Sequence, residues 1–358
     1  TLSDTLSLHD ALPISAWAAD WMRKPNLETE LTDLTRAMRP FCQSRRMLTV
    51  AALGLLSSLA AAAYPDRPIK IVVPWAPGGA TDQIARLLAP PLSQAMGVPV
   101  VVENKAGAGG VVGTQLFVKE KADGYTLLLA TSSTNAAAPH LVAKLGFDPI
   151  SDFTPVLQLC SIPNVMVVPV KSPWKTLKDI VDAAKKSPAS YTYGSAGIGG
   201  SQHLAGAQFK TAAKIDIRHV PYKGSGPAAQ DLLAGHIDMM IDTGSLGSIR
   251  GGLLRPIAVA SSKRLAVLPA VPTFEEAGTP MLASAWYGIT LPREAPSDVV
   301  QRLNTELNKI LRSAEVRQKL IDMGAEVGGG SASEFAGFMA SEIKRYEGVV
   351  KDSGAPKE

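Results

Sequence analysis

The sequence predicts an α/β fold of two lobes sharing one cleft, and three observations predict it. Short β-rich runs alternate with helical ones in the first third of the chain, the same alternation recurs in the middle third with different turns, and a helical tail follows. Such alternation implies mostly parallel sheets covered by helices, with ligands beyond the carboxyl ends of the strands, where loops enter helices.

Taken in order, the first third reads as strand IKIVVPW, helix TDQIARLLAPPLSQAMG and strand VPVVVEN. A glycine-rich turn then leads into helical GTQLFVKEKADG and strand YTLLLAT. In the middle third NVMVVPV precedes a helix opened at Thr176 by T-L-K-D, a capping-box variant. SYTYGSAG, HLAGAQFKTAA, IDIRHVPY, PAAQDLLAGH, IDMMIDT and RPIAVAS continue the alternation. After Trp286, strand YGITLP leads into helices from Ser297 and from Ser333, the latter opened by S-A-S-E. The chain is expected to cross between lobes near Ser161–Val165 and again near Trp286–Leu291. Residues 64–163 with 288–358 then form lobe 1, with the tail packed back on it, and residues 164–287 form lobe 2.

The segment ahead of Tyr64 reads as targeting rather than fold. Arg39, Arg45 and Arg46 precede the apolar run MLTVAALGLLSSLA, and Ala61 and Ala63 supply a small-residue exit. Residues 38–63 therefore read as a secretory signal peptide, since the run falls short of the roughly 20 residues a membrane span needs. With Met38 as the start, residues 1–37 are an upstream segment whose opening TLSDTLSLHDALPIS resembles translated adapter sequence. The expected address is the periplasm of a Gram-negative bacterium.

With 358 residues and 46% apolar content, the chain can build two ordinary cores. Its formal charge of +4 is spread among acids rather than gathered in a stripe, which argues against nucleic acid. Cys42 lies in the leader and Cys160 stands alone in VLQLC, a small hydrophobe with no disulfide partner.

Motifs for catalysis and cofactors fail on specific residues. GAGGVVG at 107–113 has Val112 where a dinucleotide fingerprint needs glycine, and no G-x-x-x-x-G-K-[ST] occurs. Ser195 sits in Y-G-S-A-G, with Tyr193 where a nucleophile elbow needs glycine. The five histidines are scattered, His203 reading as a pocket or helix-start residue, and Asp238 and Asp242 have no evident acid/base partner. No cofactor, no metal and no catalytic residue are expected.

Three glycine turns instead precede helices: Gly78-Gly79, Gly107–Gly110 and Gly197–Ser201. The first amides of a helix lack internal partners and its dipole makes that end partly positive, so such turns suit an anion.

VVPWAPGGATDQIARLLA, VVENKAGAGGVVGT, DGYTLLLATSSTNA, YTYGSAGIGGSQHLAG, VPYKGSGPAAQDLLAGHID and VPTFEEAG are collinear across residues 65–350. They resemble the signature segments of the Bug-type substrate-binding receptors of tripartite tricarboxylate transporters. The resemblance implies a periplasmic-binding-protein fold, two α/β lobes with a hinge and a ligand cleft between them. It implies a monomeric receptor that captures a small carboxylated ligand and delivers it to membrane permease subunits. Signalling to a membrane kinase, or an enzyme on the same fold, is the alternative. It also implies ligand contacts at Gly78, Gly79, Ala80, Thr81, Asp82, Gly109, Gly110, Thr131, Ser132 and Asn135, and at Ser195, Ala196, Gly197, Gly200, Ser201, Tyr222, Lys223, Gly224 and Asp242. Trp75 and Tyr222 are expected either to flank an aromatic or alkyl ligand body or to be core residues, and Asp82 to cap its helix or to receive an ammonium or hydroxyl group. The chain departs from the family pattern at Ile198 and Gly200, where relatives carry a polar residue and a hydroxyl, and TGSLGSIRGG is shorter.

Overall fold

The computed structural model describes residues 64–355, so the upstream segment 1–37 and the signal peptide 38–63 lie outside the described residues. In chain order the first elements are β1 (Ile69–Val73), α1 (Ala80–Met96), β2 (Val100–Asn104), α2 (Val111–Phe117), β3 (Thr126–Thr131), α3 (Ala138–Leu141) and β4 (Phe153–Pro163). Next come β5 (Val165–Pro169), α4 (Leu177–Lys186), β6 (Thr192–Ser195), α5 (Ser201–Ala213), β7 (Arg218–Pro221), α6 (Ser225–Ala234), β8 (Met239–Asp242), α7 (Leu246–Arg250) and β9 (Leu254–Val259). The chain closes with β10 (Ser284–Pro292), α8 (Ser297–Arg312), α9 (Ala314–Asp322), β11 (Glu326–Val327) and α10 (Ala332–Ser353).

Two sheets result, ordered β11-β4-β10-β3-β1-β2 and β7-β6-β8-β5-β9. Both are mixed rather than simply parallel, because β10 runs against β3 and β4, and β5 runs against β8 and β9. Strand alternation sets the cores. Ile69, Ile71 and Val73 face Leu88 and Leu92 of α1 and Leu303 and Leu307 of α8. Val72, Leu128 and Ala130 face Phe117, Phe335 and Met339 on the opposite side. In the second sheet Met166 and Val168 pack with Ile180 and Phe209, while Val165 and Val167 pack with Leu232 and Leu246. The free thiol of Cys160 is buried in β4, and burial raises its pKa.

The first crossing is a single residue, Asn164, whose amide group reaches Ile241 O at 2.9 Å and whose N–H donates to Ala283 O at 2.9 Å. The return differs from expectation. β10 pairs with β4 from Ser284 onward, so Trp286–Leu291 lies wholly inside the first sheet and the chain has already crossed by Ser284. β4 itself was not read from sequence. The last helix starts at Ala332, ahead of the expected Ser333, with Ser331 as N-cap; Ser331 Oγ accepts from Glu334 N at 3.1 Å. α4 opens as expected, Thr176 accepting from Asp179 N at 3.2 Å. α10 packs on the first sheet through Phe335, Met339, Tyr346 and Val350, and meets Leu204 of α5 in the same cluster.

Candidate functional site

Three helices point their amino ends at one partly open space between the sheets. α1, α5 and α6 begin after Gly79, Gly200 and Gly224, and none of these N-caps has a side chain to fill the first turn. In α1, no acceptor among the described residues meets the N–H groups of Ala80, Thr81 or Asp82. Trp75, Ala76, Gly79 to Asp82, Thr131, Ser133, Ala285 and Tyr287 wall the cavity from one side, and Ala196, Ser201, Gln202, Ser225 and Thr243 from the other. Its free space is about 20 Å³, room for a water or so. Hydroxyls and amides dominate the polar lining, and among the described residues no lysine or arginine takes part.

Asp82 is the one carboxylate on this wall, and it is already occupied. It stands third in α1, so Gly79 rather than Asp82 is the cap. Its oxygens accept from Gly78 N at 3.0 Å, Arg86 Nε at 3.0 Å and Asn104 Nδ2 at 3.0 Å. Burial alone would raise its pKa, but the Arg86, Gly78 and Asn104 bonds together hold it below the ordinary carboxylate value. Reaching back to Gly78, it fixes the turn that feeds the helix.

Asp242 stands behind the opposite wall. One oxygen accepts from Gln202 Nε2 at 3.0 Å and from Ser225 Oγ, and the other from Gly244 N at 2.9 Å and Ser245 Oγ at 2.6 Å. It thereby ties the starts of α5 and α6 to the loop after β8. Asp238, four residues earlier, accepts from Thr192 N at 2.7 Å and Thr192 Oγ1 at 2.8 Å, a strand-to-strand tie with no place in the cavity.

The lobes meet closely around this space. Ser201 N donates to Ser133 Oγ at 3.0 Å, Ala76 N to Lys223 O at 3.1 Å and Gln83 Nε2 to Gly244 O at 3.2 Å, while Thr243 Oγ1 and Tyr287 Oη share a bond of 2.8 Å. Glycines permit the approach. A β-carbon on Gly109 would stand 2.0 Å from Ile198 O, and one on Gly226 would stand 2.1 Å from Pro77 O.

Beneath the Gly197–Gly200 turn lies a ring stack. His203 and His219 are 4.2 Å apart between centroids, and Tyr193 lies 4.9 Å beyond His219. His203 Nδ1 accepts from Gly199 N at 3.2 Å, which settles the role of His203 as a turn support. Burial pushes the His203 pKa down to about 4. Burial, then His203 and Lys210, push His219 down to about 3. Ser195 Oγ and His219 Nε2 approach to 2.6 Å, as a nucleophile and base do, yet Ser195 is fully buried outside the cavity and its oxygen accepts from Gly197 N at 3.1 Å.

Of the expected contact residues, the cavity receives Gly79, Ala80, Thr81, Asp82, Thr131, Ala196 and Ser201. Gly109, Gly197, Tyr222 and Lys223 line instead a groove of about 490 Å³. Tyr222, whose hydroxyl donates to Asp231 Oδ2 at 2.7 Å, therefore does not flank the cavity, whereas Trp75 does. Gly78 packs near Gly226 and Gly110 against Trp75 and Thr134. Ser132 and Asn135 are buried beside the wall, while Ser195, Gly200, Gly224 and Asp242 support the turns behind it. Sequence reasoning missed Ser133, Gln202, Ser225, Thr243 and Tyr287. Ser225 was the most accessible of these, since it follows Gly224 at a helix start; the others carry no local signal.

Comparison with known proteins finds relatives of the same fold over most of the chain. The family model described as tripartite tricarboxylate transporter family receptor matches residues 84–355. Protein BugT of Bordetella pertussis is 37% identical over 310 residues, covering 86% of this chain and 95% of its own. A structure described as a periplasmic transporter is 41% identical with a TM-score of 0.79, covering 82% of this chain and 99% of its own. An R. palustris protein solved with adipate is 35% identical with a TM-score of 0.80, covering 82% of this chain and all of its own, 100%.

Proposed function

The chain belongs to the tripartite tricarboxylate transporter receptor family, and from that premise we propose that it captures a small carboxylated organic ligand by closing its two lobes. The observation that carries this is the convergence of three glycine-capped helix starts on one cavity that no lysine or arginine of the described residues lines. The amides of Ala80, Thr81 and Ser225 and the Ser201 hydroxyl then act as donors, since Ser201 N and Ser225 Oγ are already given to Ser133 and Asp242, with Gly79, Gly200 and Gly224 clearing their approach. Each hydrogen bond to a charged group contributes roughly 1.5–3 kcal/mol, so a few suffice for capture. Neutral donors also leave release feasible, since no buried ion pair must be broken. A ligand that touches both walls favours the closed state, whereas one that is indifferent shifts nothing.

The receptor works in the periplasm after removal of residues 38–63, and a monomer hands its cargo to the membrane permease subunits. Binding rather than catalysis is the reading, because Asp82, Ser195 and Asp242 all have their oxygens committed to structural partners. Thermal shift followed by calorimetry against di- and tricarboxylates, amino acids and aromatic acids tests it. Stabilisation by at least one carboxylate is expected; binding of sugars or cations alone would overturn the proposal.

A further inference from the structure

Gln202 is the second residue of α5, lines the cavity and is 6% exposed. Its side-chain amide has two ends, and the neighbour on one side decides which way they point. Asp242 is an acceptor only, and it already takes hydrogens from Ser225 Oγ, Gly244 N and Ser245 Oγ. A carbonyl turned toward it would meet only oxygen. Gln202 therefore gives Nε2 to Asp242 at 3.0 Å, and Oε1 is left on the other side with no donor among the described residues. A β-carbon on Gly200 would stand 3.2 Å from that oxygen, so the glycine keeps the space beside it clear.

We propose that Gln202 Oε1 selects, among carboxylates, those that carry a hydroxyl or amino group beside the acid group. This rests on reading the cavity as a carboxylate site. Ala80, Thr81, Asp82 and Gln202 line the same small space, and among the described residues the three amides have no acceptor and the Gln202 carbonyl has no donor. A plain acid satisfies the amides and seals Oε1 away from water unpaired, a cost that a 2-hydroxy or 2-amino acid removes by donating to it.

Calorimetry on the purified protein with succinate against malate and aspartate, and propionate against lactate, tests the selection. The 2-substituted acid is expected to bind at least tenfold tighter than its plain partner, about 1.4 kcal/mol. Gln202→Met removes the acceptor at similar length and should collapse the ratio to within about twofold, whatever happens to each affinity. Gly200→Ser keeps Gln202 but offers Oε1 an internal hydroxyl, and should lower the ratio as well; it stands as the second variant if Gln202→Met does not fold. Equal affinities in the wild-type protein would overturn the selection and leave the carboxylate reading intact. No carboxylate binding at all would overturn both. A ratio that survives both variants would overturn the assignment to Gln202.

Discussion

Gly79 shows what a single residue contributes. Its backbone is extended, with φ −82° and ψ 173°, so any side chain is tolerated locally. A β-carbon there would nevertheless meet Ser225 Cβ at 2.9 Å across the cleft. We expect Gly79→Val to lose ligand binding in calorimetry while its thermal midpoint stays within a few degrees of wild type. Undiminished affinity would show that the close approach at Gly79 is dispensable. His203 and His219 give a second residue-scale prediction. Their folded pKa values, about 4 and about 3, lie below the ordinary 6.5, so the unfolded chain takes up protons first as the pH falls. Stability from these two rings is complete above about pH 6.5 and is lost as the pH drops toward 4 and then 3. Urea titrations across that range should show the decline, and His203→Gln should make it shallower; an unchanged slope would remove His203 as its cause. The glycines were legible in the sequence, but the reason for them was not. Gly79 reads as a turn residue, whereas what excludes a side chain there is Ser225, 146 positions away.

Elements were legible where their start signals are local. The boxes Thr176/Asp179 and Ser331/Glu334 are both formed, each hydroxyl accepting from the backbone three residues on. We expect Ser331→Ala to cost about 1 kcal/mol in chemical denaturation, the usual worth of a cap, without changing ligand affinity. A loss well under half that would mean the Gly330 and Asn308 contacts ahead of the helix already fix its start. β4 was missed for a physical reason. Its burial follows no clean alternation, Pro155 and Pro163 interrupt it, and β10 shifts register twice along it. Such a strand is defined by its neighbours, not by its own pattern. α2 is similar: it begins at Val111, ahead of the Gly113 start of the helical run read from sequence, and ends at Phe117, whose ring belongs to the core.

At the scale of the whole molecule, function depends on whether the lobes can meet. Gly109 combines φ +60° with a β-carbon position 2.0 Å from Ile198 O, so alanine there is strained and also wedges the closed form. We expect Gly109→Ala to keep the scattering radius from contracting on ligand addition and to weaken binding at least tenfold. Contraction equal to wild type would show that the contact yields. By itself the sequence determined the alternation of strands and helices, the glycine turns at helix starts, the absence of nucleotide and nucleophile motifs, and the family to which its segments belong, because all of these are written in residues close together. Only the tertiary structure decided which turns share a cavity, that Asp242 works from behind the wall, and that Gln202 presents an open carbonyl. Those outcomes depend on Asn164 and Ser284 bringing two sheets together, so that side chains far apart in sequence compete for the same few hydrogen bonds.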